Sequence, residues 1–266
     1  MPADPHTDPE AVSAPTPSRA PSRDPSRDPW ATLRATTSAR IGLGRIGDAM
    51  ALGDVLAFQS AHALARDAVH AVLDTTALAS QIEGDVITVR SEAPDRQTYL
   101  RRPDQGRRLH PECEAALPRG DYDAVIVIAD GLSATAVATH AIPMLEALRA
   151  RLPMLRLAPV VIATQARVAI GDDIGERLGA RLCAIMIGER PGLSVADSLG
   201  IYLTYAPHRG CRDSARNCIS NIHTKGGLSY AAAADTLAWL MREALHRRLT
   251  GVNLKEETGT LLSSGA

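Results

Sequence analysis

The run Ala124-Val-Ile-Val-Ile-Ala129, closed by Asp123 and Asp130, constrains this chain most. A short apolar run with no polar interruption has no side for water, so it reads as a strand covered on both faces. Pro159–Thr164, Leu182–Ile187 and Leu199–Tyr205 read as three more strands. Helical spacing fills the intervals: Ala134–Leu152, which Pro143 is expected to kink or divide, then Asp172–Ala180 and Ser229–Leu249. Asp213–Asn221 also reads as helical. Strands alternating with helices predict an α/β fold with a mostly parallel, open, doubly wound sheet. On such sheets ligands bind outside the carboxyl ends of the strands, so the loops leaving those ends are the places to look for chemistry.

The chain has 266 residues, 45% of them hydrophobic, enough for one large core or two small ones. Aromatics make up 3%, with Phe58 the single phenylalanine, so the core must be aliphatic and base-stacking platforms are not expected. A formal net charge of −1 supplies no field for nucleic acid or for polybasic membrane binding. No apolar run approaches the roughly 18 residues of a membrane span. Cys113, Cys183, Cys211 and Cys218 have no CxxC spacing and read as reduced thiols. With no signal-peptide pattern at the N-terminus, the expected location is the cytoplasm.

Residues 1–29 hold eight of the 17 prolines and repeat Pro-Ser-Arg from Pro17, Pro21 and Pro25. Such a segment is expected to be a disordered tail, with targeting as the alternative reading. Residues 30–118 are expected to form a mainly helical N-terminal region, 119–254 the sheet domain and 255–266 a C-terminal tail. Within the N-terminal region, Arg40-Ile-Gly-Leu-Gly-Arg45 is half of a dinucleotide fingerprint, but no buried strand precedes it. Asp54–Leu73 reads as an amphipathic helix with Asp54 as its N-cap. His62, Arg66, Asp67 and His70 lie on it one turn apart in pairs, a polar face more than a metal site, since a third ligand is missing.

Four strand-end segments carry candidate residues. Asp130-Gly-Leu-Ser133 suits either an amide cradle, with Asp130 or Ser133 on a polar ligand, or a helix cap by Ser133. Gln165–Asp172 places Arg167, Val168 and Ile170 at the ligand edge. Gly188-Glu-Arg-Pro-Gly-Leu193 sets Glu189 beside Arg190, for a ligand contact or an internal ion pair. Asp213–Asn221 carries Cys218, which either packs as a small apolar group or acts as a nucleophile with Asp213 and His223. The second option defines an alternative function, a stand-alone α/β hydrolase using Cys218 or Ser133.

Taken together, several of these words resemble one family, the small (light) subunit of ethanolamine ammonia-lyase. They are Arg40-Ile-Gly-Leu-Gly-Arg45, Ala65-Arg-Asp-Ala-Val-His70, Ala129-Asp-Gly-Leu-Ser-Ala134, Arg167-Val-Ala-Ile-Gly-Asp172, Ile187-Gly-Glu-Arg-Pro-Gly-Leu-Ser194, Asp197-Ser-Leu-Gly200 and Arg216-Asn-Cys-Ile-Ser-Asn221. The resemblance spans residues 30 to 255 and departs at Ala166, where glycine is expected. It implies a helical N-terminal part and a Rossmann-like C-terminal part. It further implies an adenosylcobalamin-dependent radical lyase that converts ethanolamine to acetaldehyde and ammonia. The substrate site would lie in the barrel of a large subunit, with six of each subunit assembled, in some cases within a bacterial microcompartment. The small subunit would close over the corrin, with Val168, Glu189 and Cys218 on the cobalamin and no catalytic or metal-ligating residue of its own.

Overall fold

The computed structural model describes residues 28–255, so the Pro-Ser-Arg repeats and residues 256–266 lie outside the described residues. The chain divides into two units, Met1–Ala51 and Leu52–Ala266.

In the first unit, helix α1 (Ala31–Thr36) is followed by the glycine-rich Arg40–Arg45 segment. Gly42 sits at φ +54 against the Trp30 ring, where any side chain would collide with the indole. Arg34 Nη1 donates to the Ile41 and Gly42 carbonyls at 3.2 and 2.8 Å. Gly42 thus lies against an aromatic residue, and among the described residues no strand precedes the segment to make a nucleotide loop between strand and helix.

The second unit begins with α2 (Leu52–His70), α3 (Thr75–Ala79), β1 (Val86–Arg90) and α4 (Arg96–Arg101). Then come β2 (Ala124–Ala129), α5 (Ala134–Arg149), β3 (Val160–Thr164), α6 (Ile170–Leu178) and β4 (Leu182–Gly188). The chain ends with β5 (Leu199–Tyr205), β6 (Arg216–Ile222) and α7 (Tyr230–Arg247). The six strands form one sheet in the order β1-β3-β2-β4-β5-β6. The first four are mutually parallel, β5 runs antiparallel to β4, and β6 antiparallel to β5. The expected mostly parallel sheet is therefore a mixed one. Besides its helices, the region before β2 supplies β1, which joins the sheet as an edge strand beside β3.

The continuous apolar run of β2 still obeys the strand period of two. Ala124, Ile126 and Ile128 enter one core with α5 and α7. Val125, Val127 and Ala129 enter a second core with Ile170, Ile174 and Leu178 of α6. Both faces are covered, which is why no polar residue interrupts the strand. Gly171 and Gly175 let α6 lie close: a Cβ there would sit 2.9 Å from Cys183 Sγ and 2.5 Å from Pro207 Cγ.

Several expectations need correction. Residues 216–222 form strand β6, not a helix. Arg216, Ile219 and Ile222 are its buried residues, and their spacing of three imitates a helix. Arg216 and Ile219 are in regular register and face opposite sides of the sheet, whereas the step from Ile219 to Ile222 arises from a β-bulge: Ile201 pairs with Ile219 but Leu199 with Ile222. Pro143 neither ends nor divides α5, which runs unbroken from Ala134 to Arg149. Met144, Leu145 and Leu148 bury that turn in the core and offset the missing hydrogen bond. Helix α2 starts at Leu52, so Asp54 lies in its first turn instead of capping it. Only Ala68 of α2 is buried, while Leu56 and Leu64 of the presumed apolar stripe are exposed. Neither Gly171 nor Asp172 caps α6; Ala169 precedes it, with no side-chain cap.

Candidate functional site

The carboxyl ends of β2, β3 and β4 carry the loops 130–133, 165–169 and 189–198. The first two are locked together by Asp130. Its buried carboxylate accepts from Gln165 N at 2.8 Å and from Ala166 N at 2.9 Å. Burial raises the Asp130 pKa above the ordinary carboxylate value. The side chain is consumed in shaping the next loop and does not face a ligand. Ala166, at the position where glycine is expected, causes no strain. The left-handed backbone falls on Gln165, at φ 51, and the Ala166 carbonyl accepts from the Tyr99 hydroxyl at 3.2 Å.

Gly131, at φ +58, and Gly188 bring loop 130–133 against the end of β4, since a Cβ on either would strike the other segment's backbone. Leu132 N donates to Gly188 O at 2.9 Å across this contact. Ser133 caps α5 by accepting from Ala136 N, and its hydroxyl donates to Ala196 O at 2.9 Å. Buried with both roles filled, Ser133 is no nucleophile.

Glu189 makes no ion pair with Arg190. Its Oε2 accepts from Ser198 Oγ at 2.5 Å and from Asn221 N at 3.3 Å. Beneath it lies Gly200, where a Cβ would sit 2.8 Å from Glu189 Oε1. The Asp197-Ser-Leu-Gly200 word thus forms a seat for Glu189: a donor at Ser198 and an absent side chain at Gly200.

Cys218 is exposed and lies opposite Tyr202 on the neighbouring strand. Burial of its sulfur raises the thiol pKa, opposed by a hydrogen bond from Tyr202 and reinforced by the Glu189 charge. Burial pushes Tyr202 up to about 12. A cysteine nucleophile needs the opposite shift. The partners required for a triad are also absent. His223 Nε2 is engaged by Asn221 Oδ1 at 2.8 Å, and Asp213 pairs with Arg107 at 3.4 Å. The hydrolase reading is therefore not supported.

Two adjoining cavities run along this sheet edge. One, of about 420 Å³, is lined by Arg107, Val168, Tyr202, Asp213 and Cys218 among others. The other, of about 450 Å³, is lined by Tyr99, Leu132, Val168, Glu189, Arg190 and Tyr202 among others. Arg167, Val168 and Tyr202 line both, so the two make one groove. The structure thus brings Val168, Glu189 and Cys218 onto a common surface, Val168 and Cys218 on one cavity and Glu189 on the other. Ile170 lies away from it, fully buried in the core under α6.

Sequence reasoning reached Arg167 but missed Tyr202, Tyr99 and Arg96. Arg167 and Arg96 place their guanidinium carbons 4.3 and 4.6 Å from the Tyr99 ring centre. Arg167 Nε is buried without a hydrogen-bond partner among the described residues. Gly200 was the available signal for the site: an isolated glycine inside a strand marks a close approach. Away from the groove, His62, Arg66, Asp67 and His70 are exposed on α2. Among the described residues no group of three or more His, Cys, Asp or Glu is arranged to hold a metal. No described helix is long and apolar enough to cross a membrane, and all four cysteines are free.

Comparison with known proteins places the chain in a family. Residues 27–255 match the protein-family model described as ethanolamine ammonia-lyase light chain. The chain belongs to the ethanolamine ammonia-lyase light-chain family. An ethanolamine ammonia-lyase small subunit of Azotobacter vinelandii is 52% identical over 248 residues, covering 89% of this chain and 92% of the relative. Small subunits of Pseudomonas putida strain GB-1 (51% over 239 residues, 86% and 88%) and Ralstonia nicotianae (50% over 240 residues, 85% and 88%) are similar along the same extent. Membership makes this light chain a subunit of a heteromeric carbon–nitrogen lyase.

Proposed function

We propose that this light chain closes an adenosylcobalamin site against the ethanolamine ammonia-lyase large subunit, with Val168, Glu189 and Cys218 on the cofactor. The observation that carries the reading is the groove shared by these residues at the carboxyl ends of the strands. The groove fits the edge of a broad macrocycle bearing amide side chains. It offers apolar contact from Val168, a carboxylate acceptor in Glu189 and a buried, unpartnered donor in Arg167 Nε. Bound adenosylcobalamin supplies the radical chemistry that deaminates ethanolamine to acetaldehyde and ammonia.

The chain's own part is to bind, orient and exclude water. Glu189 accepts hydrogen bonds from amide donors, Val168 and Cys218 supply packing, and Tyr202 remains a neutral phenol between them. No proton-transfer step falls to this chain, and catalysis of the substrate belongs to the large subunit. We read residues 119–254 as the cofactor-contacting domain, and the parallel strands with α5 and α6 as its Rossmann-like part. Six of each subunit, and the bacterial microcompartment with the N-terminal tail as its address, complete the proposal by resemblance to the family. A cofactor held between two chains needs both for affinity. Acetaldehyde formation from ethanolamine with adenosylcobalamin is therefore expected with both chains and absent with either alone. Full turnover by the light chain alone would overturn the subunit role.

A further inference from the structure

Behind Glu189 lie two buried histidines that do not line the groove. His140, on α5, is fully buried. Its Nε2 is 2.8 Å from Asp197 O, and its Nδ1 is 2.7 Å from the Tyr230 hydroxyl. A carbonyl only accepts, so Nε2 carries the hydrogen and Nδ1 accepts from Tyr230. His223, just after β6, is also buried. Its Nδ1 accepts from Lys225 N at 3.1 Å, so its Nε2 carries the hydrogen and donates to Asn221 Oδ1 at 2.8 Å.

Each ring stands directly behind one of the two donors to the Glu189 carboxylate. His140 holds the Asp197 carbonyl, in the peptide leading into Ser198, whose hydroxyl donates to Glu189. His223 holds the side chain of Asn221, whose backbone N–H donates to Glu189. Asn221 is at φ 64, a left-handed conformation that needs outside support in a non-glycine residue. Gly227 makes room for this support, since a Cβ there would sit 2.6 Å from the His223 ring. Lys225 Nζ joins the two arms by pairing with Asp197 at 3.0 Å.

We infer that His140 and His223 are positioning residues that fix the Glu189 carboxylate from behind, each through one of its two hydrogen-bond donors. The inference rests on the reading of Glu189 as a cofactor contact. It goes beyond that reading by assigning the geometry of the contact to two groups that never touch the ligand.

The test uses the enzyme reconstituted from both subunits. It measures kcat and the KM for adenosylcobalamin in His140→Leu and His223→Leu, alone and combined with Glu189→Ala. Each leucine variant is expected to raise the cofactor KM about five- to tenfold, the effect of one weakened hydrogen bond to a carboxylate, with kcat retained. Neither adds to the effect of Glu189→Ala, because no carboxylate remains to be positioned. His140→Gln and His223→Gln, which can donate and accept at similar places, recover most of the affinity. An unchanged cofactor KM in the leucine variants, or effects fully additive with Glu189→Ala, overturns the inference. A leucine variant that does not assemble is replaced by Tyr230→Phe, which cuts the His140 arm at its far end, or by Asn221→Gly, which removes the side chain that His223 holds while keeping the backbone N–H. An unchanged cofactor KM in those variants overturns it equally. If Glu189→Ala itself leaves the cofactor KM unchanged, the failure lies in the site reading, and the positioning role goes with it.

Discussion

Glu189 is held by what surrounds it. Ser198 Oγ and Asn221 N fix one oxygen, and Gly200 leaves space for the other. Gly200→Ala would press a methyl group onto the end of a flexible side chain, not onto backbone. The fold should therefore survive while the carboxylate moves. The expected result is a thermal midpoint near that of the wild type with the cofactor KM raised about three- to tenfold. Cofactor titration together with a melting curve checks this, and an unchanged KM would remove Gly200 from the site. His140 gives a second prediction at this scale. Burial holds its pKa below the ordinary value of 6.5, against the opposing influence of Asp197, with His223 and Lys225 nearby and Tyr230 on its other nitrogen. The unfolded chain then binds the proton first as pH falls. Its stabilising contribution is complete above pH 6.5 and is lost on acidification from 6.5 towards the lower folded value. Melting curves across that range should show a smaller acid loss in His140→Gln than in the wild type.

At the scale of elements, β6 and α6 are joined by a buried ion pair. Arg216 meets Asp172 with two contacts of 2.6 Å, and Thr204 Oγ1 adds a third contact at 2.8 Å. Arg216→Met would leave Asp172 buried and uncompensated, at a cost of about 3–5 kcal/mol. Adding Asp172→Leu should recover much of that loss in chemical denaturation, whereas equal instability of the double variant would refute the pairing argument. The same strand marks the limit of what the sequence discloses. Strands β2 to β5 were legible because their apolar runs allow no helical face. Strand β6 was not, because Arg216 is buried on the face opposite Ile219 and a bulge opposite Gly200 sets Ile222 three residues beyond Ile219, so the buried residues fall at a helix-like spacing. The direction of β5 was hidden too, since nothing in its composition distinguishes an antiparallel neighbour from a parallel one. Pro143 does not divide α5 for a different reason: burial of the surrounding turn outweighs local propensity. Of the groove, Val168, Glu189 and Cys218 could be reached from strand ends and motif words. Tyr202 could not, because a strand residue declares its role only when its cross-strand partner, Cys218, is known.

At the scale of the molecule, the sheet is covered on both faces, and its open edge collects the loops. The four parallel strands bring their carboxyl ends to one side, and the antiparallel pair β5–β6 extends that edge with Tyr202 and Cys218. This light chain contributes a shaped wall, and its family places it in an enzyme whose other chain must supply the rest. The most direct measurement is an adenosylcobalamin titration of the two-chain enzyme carrying Glu189→Ala, with Asp235→Ala on the distant α7 surface as control. Loss of the carboxylate should raise the half-saturating cofactor concentration about tenfold, with little change in kcat and no change in the control. Superimposable titration curves for Glu189→Ala and wild type would contradict it.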